Sequence, residues 1–259
     1  MTPGVEHLVA DWSPELVGEL ALIAVDRIGS TQDFARVLLD RHFAEDEEPH
    51  PFVVVAHEQS EGHGRRGRRW ESGEGLGVWA SLALPAAGET LATVPMRSGV
   101  ALAAAISAEV GECRLKWPND LMVGRDKVGG MLVDAVSSPE SGRWAVVGFG
   151  INHGHGRDRL PAPGATSLAL AAAERPLAPL GRFVRACLVA LWRELDGPGS
   201  DWLERYRALS VHRAGDPIVA DLEGERVEGR FAGFDESGFL LLDTGSGRRR
   251  IHSGEIYAW

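Results

Sequence analysis

Gly62-His63-Gly64-Arg65-Arg66-Gly67-Arg68-Arg69-Trp70 packs three glycines and four arginines into one short stretch of a chain whose formal net charge is -10. Arginine presents a planar fork of donors that fits carboxylate and phosphate. Glycine lets backbone N–H groups come close to an anion and adopts φ angles that other residues avoid. The stretch is therefore poor core material and suited to wrapping something small and anionic. A merely solvated basic turn would explain the arginines but not three glycines so close together. Gly62, Gly64 and Gly67 also match G-x-G-x-x-G, and the strand-like run Phe52–Ala56 precedes them. That fingerprint needs a helix straight afterwards, with its N-terminus on the pyrophosphate. Gly73, Gly75 and Gly77 leave no room for one, and Glu89, near the spacing for a ribose acid, sits in a Pro/Gly loop.

Three further stretches carry chemistry. Lys116-Trp117-Pro118-Asn119-Asp120 joins a cation, an amide and a carboxylate; its plainer reading is a strand end and a proline turn. Lys127-Val128-Gly129-Gly130-Met131-Leu132-Val133 sets a lysine before bare backbone, where a ligand can lie close; alone it also reads as a hairpin entry. Gly148-Phe149-Gly150-Ile151-Asn152 ends a strand in Gly-x-Gly-x-Asn, or marks a bulge.

The elements that must position these residues follow from periodicity. Ser30 and Asp33 fit a capping box opening a helix through Phe34, Val37 and Leu38. Phe52–Ala56 and Val78–Leu84 read as buried strands, and Val94–Val110 as an amphipathic helix. Arg114–Trp117 is a short strand stopped by Pro118. Met131–Val133 and Trp144–Val147 form a strand pair. Asn152–Gly164 is a Gly/Pro-rich loop, expected to be mobile. Leu180–Leu195 is a helix closed by Gly197-Pro198-Gly199, and Trp202–Leu209 adds a further turn or two. From residue 211 short strands alternate with turns at Glu223-Gly224, Glu236-Ser237-Gly238 and Gly245-Ser246-Gly247. They run Pro217–Leu222, Arg226–Phe231, Phe239–Leu242 and Arg248–His252, a small barrel-like β module.

The bulk properties narrow the classes. A chain of 259 residues, 44% hydrophobic and 25% charged, is ordinary globular material. No apolar run approaches the roughly 20 residues of a membrane span. Met1–Glu15 carries Glu6, Asp11 and Glu15 and no basic n-region, so no signal peptide is expected. Cys113 and Cys187 give neither a disulfide framework nor zinc spacing, which points to a reducing cytoplasm; no resident metal site is expected. A pI near 5.4 argues against general nucleic-acid binding, and against an RNA-binding use of the arginine loop.

The order Ser30-Thr31-Gln32, Gln59, the Gly/Arg loop, Lys116–Asp120, Lys127–Gly130, Gly148–Asn152 and then a β module ending in Gly254-Glu255-Ile256 resembles the biotin–protein ligases over about residues 22 to 256. Each motif is weak alone; six in this order are specific. The resemblance implies an α/β (α+β type) architecture: a class II synthetase-like mixed-sheet catalytic domain over 1–210 and an SH3-like β-barrel over 211–259. Too few residues precede the first elements for the N-terminal winged helix of regulatory members, so the minimal form without DNA binding is expected, cytoplasmic, and monomeric or homodimeric.

The resemblance also implies a reaction: biotin and MgATP give biotinyl-5′-AMP, and biotin passes to one lysine of a biotin carboxyl carrier domain. Lys127 and Arg65 align with cations between carboxylate and α-phosphate. Asp120 is the candidate to orient or deprotonate the acceptor lysine. Ser30, Thr31, Gln59, Gly62, His63, Gly130 and Leu132 align with the biotin site. Arg66, Arg68, Trp70, Lys116, Asn119, Asn152, Thr166 and Ser167 align with the nucleotide site, although Thr166 or Ser167 could equally cap a helix. The alternatives are a lipoate or octanoate ligase or transferase on the same fold, or a biotin-binding regulator without turnover. Two departures stand out. His63 replaces the usual arginine, so adenylate retention is expected to be weaker and pH-dependent. No basic residue follows Glu255-Ile256, so the β module is expected to brace the catalytic domain rather than touch nucleotide.

Overall fold

The computed structural model describes residues 6–9, 20–86, 90–138, 142–197, 199–222 and 224–258. Asp11 and Glu15, the ribose-acid candidate Glu89, Pro198 and Glu223 of the expected turns, and Trp259 lie outside them. The order of elements is α1 (Glu6–Val9), β1 (Ala21–Ile28), α2 (Thr31–Ala44), β2 (Phe52–Gln59), β3 (Gly77–Pro85), α3 (Thr90–Val110), β4 (Arg114–Lys116), β5 (Asp120–Val123), β6 (Asp126–Ser138), β7 (Gly142–Asn152), α4 (Leu168–Ala171), α5 (Leu180–Asp196), α6 (Trp202–Leu209), β8 (Pro217–Leu222), β9 (Glu225–Phe234), β10 (Leu240–Thr244), β11 (Gly247–Ile251) and β12 (Glu255–Ala258).

Seven strands form one mixed sheet, ordered β1-β2-β3-β7-β6-β5-β4. The β1–β2 pair is parallel and the others are antiparallel. The sheet is covered on both faces, which is why β2 reads as an unbroken apolar run rather than an alternation. Phe52 and Val54 face α2, packing with Ala35, Leu39 and Val146. Val53 and Val55 face the larger core with α3 and α5. Helix α5 buries Leu180, Phe183, Val184, Cys187, Leu188, Leu191 and Leu195, a stripe at helical spacing.

Helix α3 departs from the sequence reading in two ways. It begins at Thr90, upstream of the expected Val94, and carries Pro95 within it. Pro95 gives up one helical hydrogen bond, and the extra turn packs Leu91 against the core. Against the expectation that no apolar run approaches a membrane span, its Leu91–Val110 segment, with a mean hydropathy of 1.4, is long and apolar enough to cross one by length and composition. More than half of it is buried inside this fold, where that apolarity is used. Strands β1, β5 and β12 are additions to the sequence reading; β5 follows directly from the Pro118 turn and makes it a tight hairpin with β4.

The second sheet is five-stranded and antiparallel, ordered β11-β10-β9-β8-β12. Its apolar residues, including Ile218, Phe231, Phe234, Leu240 and Ile256, join the main core without a break. Three bonds tie the module to β4, to the Lys116–Asp120 turn and to α6. Val211 N donates to Leu115 O at 2.9 Å. Trp117 Nε1 donates to Gly238 O at 3.3 Å and Arg207 Nη2 to Phe234 O at 2.8 Å.

His212 sits in this seam, 5% exposed, with its ring 5.5 Å from that of Phe231. Burial first, and then the charge of Lys116, lowers its pKa to about 4. The unfolded chain takes up a proton near the ordinary value of 6.5 and the folded chain does not. Stability is therefore intact above pH 6.5 and falls as pH drops toward 4, by about 3 kcal/mol in all. His153 and His155 are shifted the same way by burial and add to the slope. Urea unfolding across pH 7.5 to 4.5 should show this decline, and His212→Asn should flatten it. An unchanged slope in the variant would remove His212 as its source.

Candidate active site

Strand register places the chemistry. Lys116 lies opposite Asp120, Asp120 opposite Gly130, and Gly130 opposite Gly150, so one row across β4, β5, β6 and β7 carries a cation, a carboxylate and two bare positions. In the next row Leu132 faces Gly148, and Gly148 faces Ser81 on β3. This is the sheet face that α2 covers around Val54 and Val146. It is left open where α2 begins, and a cavity of about 440 Å³ opens there.

Each glycine in the floor seats one functional side chain. A Cβ on Gly130 would lie 3.3 Å from Lys127 Nζ. One on Gly148 would run into Gln32 Oε1, and one on Gly150 into the Trp70 indole. Lys127 and Gly130 are three residues apart, so plain alternation would send them to opposite faces. A register shift between Leu121 and Met122 breaks the alternation. Val128 stays in the core while the Lys127 ammonium returns to the cavity, the usual effect of a bulge.

The cations gather around Asp120. Lys127 Nζ is 2.5 Å from Asp120 Oδ1 and 5.2 Å from the centre of the Trp70 ring. Arg65 Nη1 donates to Asn119 Oδ1 at 3.3 Å. Asn119 in turn donates from Nδ2 to Met131 O at 2.9 Å, which fixes its orientation. Burial, opposed by Asp120, lowers the Lys116 pKa; burial and then Arg66 lower that of Arg65. Both shifts record the cost of collecting positive charge in a half-closed space.

The far end of the cavity is polar in a different way. Gln59 Oε1 accepts from Thr31 N at 2.8 Å and from Thr31 Oγ1 at 3.0 Å. Ser81 Oγ lies 2.9 Å from Thr31 Oγ1 and donates to Gln32 Oε1 at 3.0 Å. Gln32 Nε2 reaches Asp134 Oδ2 and Val146 O, each at 3.0 Å. Ser30 caps α2, accepting from Asp33 N at 3.3 Å. Asp134 stands behind Gln32 and does not line the cavity; the groups that do are neutral and mostly buried, suited to a neutral polar ligand head rather than a charged one.

Ser30, Thr31, Gln59, His63, Arg65, Arg66, Arg68, Trp70, Lys116, Asn119, Asp120, Lys127, Gly130, Leu132 and Asn152 all line the cavity. Asn152 donates to Thr166 O at 3.0 Å, and its buried Oδ1 has no partner among the described residues. His63 Nε2 stands 3.7 Å from Asp33 Oδ1 on α2.

Three expected site residues stand elsewhere. Gly62 lies at the foot of the loop, where its carbonyl accepts from Trp70 N at 2.8 Å and a Cβ would meet Ser72 Oγ at 2.7 Å. Ser167 is fully buried behind the wall, donating to His155 O at 2.6 Å and capping α4 through Leu170 N. Thr166 contributes backbone only: its N donates to Lys127 O at 2.9 Å. Both serve as struts for the Pro161–Ala165 segment that does line the cavity. Gln32, Ser81, Gly148 and Gly150 were missed as lining residues, as was the Gly254–Ile256 contribution from the β module. The visible signal for Ser81 was a lone hydroxyl in the apolar run Val78–Leu84. Cys113 and Cys187 are buried free thiols away from the cavity, their pKa values raised by burial.

Residues 24–152 match the model of the biotin/lipoate A/B protein ligase family, and residues 215–259 that of the biotin protein ligase C-terminal domain. The chain is similar to the bifunctional ligase/repressor BirA of Bacillus subtilis (strain 168), 30% identical over 255 residues, covering 93% of this chain and 75% of the relative. It is 32% identical over 214 residues to the biotin–[acetyl-CoA-carboxylase] ligase of Paracoccus denitrificans, covering 79% of this chain and 89% of that one. Among solved structures, the biotin protein ligase of Aquifex aeolicus in complex with biotin and ATP superposes with a TM-score of 0.72 at 26% identity, covering 92% of this chain and 97% of that one. The chain belongs to the biotin/lipoate A/B protein ligase family, and within it to the biotin protein ligases, which are enzymes.

The bare floor yields a direct test. Gly148→Ala pushes a methyl into Gln32 Oε1 and disturbs the Ser81 and Asp134 contacts that depend on it. Overpacking at such a position costs about 1–3 kcal/mol. A lower urea midpoint with an unchanged m-value is expected; a wild-type midpoint would show that Gln32 shifts freely.

Proposed function

We propose that this chain joins biotin to ATP, forming biotinyl-5′-AMP and pyrophosphate, and then transfers the biotinyl group to a lysine of a biotin carboxyl carrier domain. The observation that carries the reading is one cavity with a neutral hydrogen-bonding end at Thr31 and Gln59 and a cationic end at Lys127, Lys116 and Arg65. A ligand with a neutral polar head and a carboxylate tail fits that polarity, with the carboxylate delivered to the cations. The match of residues 215–259 to a biotin protein ligase C-terminal domain favours biotin over lipoate.

In the first step a biotin carboxylate oxygen attacks the α-phosphorus and pyrophosphate leaves. Two anions must meet, and each like-charge pair at 4 Å costs about 4 kcal/mol at an effective dielectric of 20. Lys127 and Arg65 supply the opposing charge, so the protein's contribution is positional and electrostatic. Asn152 Oδ1, unpartnered in the wall, can accept from an exocyclic amine of the base. In the second step the neutral carrier amine attacks the acyl carbon and AMP leaves, its proton passing to Asp120 or to solvent.

Magnesium fits as a partner of the nucleotide. Among the described residues no cluster of three or more His, Cys, Asp or Glu side chains could hold a metal. Mg²⁺ commonly relies on substrate phosphates and waters with one or two carboxylates, and Asp120 lines the cavity. When bound it would neutralise phosphate charge. Two buried free cysteines support a cytoplasmic setting, and we propose action there without DNA or membrane.

The direct experiment is incubation with biotin, ATP, Mg²⁺ and a carrier domain, followed by mass spectrometry for a biotinylated lysine. Lys127→Ala should lose biotin-dependent pyrophosphate exchange by about a hundredfold or more, the scale of losing one preorganised electrostatic contact. Wild-type exchange would refute its role. Asp120→Ala, supplied with purified adenylate at limiting carrier, should transfer slowly. Normal transfer would confine Asp120 to holding Lys127, its ion-pair partner.

A further inference from the structure

The arginine loop is held from outside as well as from within. Inside it, Trp70 N donates to Gly62 O and Gly64 N to Arg68 O at 2.7 Å, enough to make a small hairpin. Its longer reach is to the β module. Arg65 Nη1 donates to Gly254 O at 3.2 Å. Arg66 grips Asp221 twice, Nη1 to Oδ1 at 3.0 Å and Nη2 to the backbone oxygen at 3.2 Å. Arg68 Nη2 pairs with Glu255 Oε2.

The two acids are not scattered surface charges. Glu255 on β12 and Asp221 on β8 are direct register partners. Side chains so paired project from the same side of the sheet, and like charges there repel. The module thus carries a carboxylate pair that is relieved when two cations face it. Asp221 is fixed by a further bond from Gly224 N at 3.1 Å; that bond first, and then Arg66, holds its carboxyl below the usual range. The Glu255 hydrogen bond raises the Arg68 guanidinium. Arg66 has φ 58°, a left-handed conformation uncommon outside glycine, and its two-point contact with Asp221 is what faces it.

We propose that Asp221 and Glu255 form an acidic catch on the β module that positions the arginine loop over the active site. They are positioning residues, acting through Arg66 and Arg68. The catch also explains why acids suit this edge of the module: a cation there would repel the loop. Its catalytic consequence rests on the adenylate-forming reading above. With the catch removed, the loop closes less often and biotinyl-5′-AMP escapes faster, while Lys127 and the floor of the site stay in place.

The test uses the full chain and two readouts. Trypsin cleaves after arginine, so the loop reports its own exposure. In the ligand-free protein Asp221→Asn should speed cleavage after Arg68 and Arg69 by about three- to tenfold, the range for one partly exposed ion pair. Glu225→Gln removes the same charge from an ion pair with Arg249 that does not touch the loop, and should leave cleavage unchanged. Exchanging the charges, as Arg66→Asp with Asp221→Arg, should restore slow cleavage. In the second readout, release of preformed adenylate from Asp221→Asn should accelerate by a similar factor, with pyrophosphate exchange near wild type. Equal cleavage in wild type and Asp221→Asn, or equal acceleration in Glu225→Gln, overturns the catch. Faster loop cleavage in a protein whose wild-type form makes no adenylate upholds the catch and overturns the reaction instead.

Discussion

The bare patch of sheet where β6 and β7 pair through Gly130, Gly148 and Gly150 is the constraint on which the site depends. Elsewhere this face is filled by Val54, Ala83 and Val146 under α2. At the patch the backbone itself is the floor, and three long side chains descend onto it: Lys127 from β6 itself, Gln32 from α2 and Trp70 from the loop. Three Cβ atoms would displace all three. The open volume is thus a place where the sheet omits its own side chains, and close packing elsewhere keeps it from collapsing.

That floor explains why like charges can be gathered in an acidic protein. Lys116, Lys127 and Arg65 converge around one carboxylate, Asp120, and burial lowers the pKa of Lys116 and Arg65 although Asp120 opposes it. Packing in the seven-stranded core supports it, and the β module adds support from behind, through Trp117 to Gly238 and Val211 to Leu115. A site built this way favours whatever brings negative charge into it, including the charge that develops when carboxylate meets phosphate.

Much of this was legible in the sequence because local chemistry and global position agree. The Ser30 cap, the apolar run of β2 and the α5 stripe announce their structure directly. The order of the motifs specified which residues meet, and nearly all of them do. What escaped was non-local. The bulge that turns Lys127 toward the cavity depends on β5 pairing with β6, which no spacing within Lys127–Val133 reveals. Thr166 and Ser167 have the composition of ligand groups but lie one layer behind the wall, where a cap and a backbone strut use up their hydrogen bonds. Gln32 and Ser81 looked like helix-start and strand residues because their partners are distant in sequence.

The β module shows the same limit from the other side. Read by composition, the missing basic residue after Glu255-Ile256 removes a nucleotide contact and leaves a brace. In the fold, Gly254, Glu255 and Ile256 line the cavity, and Glu255 meets the loop arginine Arg68. An acid at that edge attracts the loop, whereas a base would attract phosphate directly. The sign of charge on one strand therefore selects which partner the module engages: the polyphosphate, or the arginines that would otherwise be free to reach it. In this chain Asp221 and Glu255 engage Arg66 and Arg68, so the module's acids act on the loop rather than on phosphate.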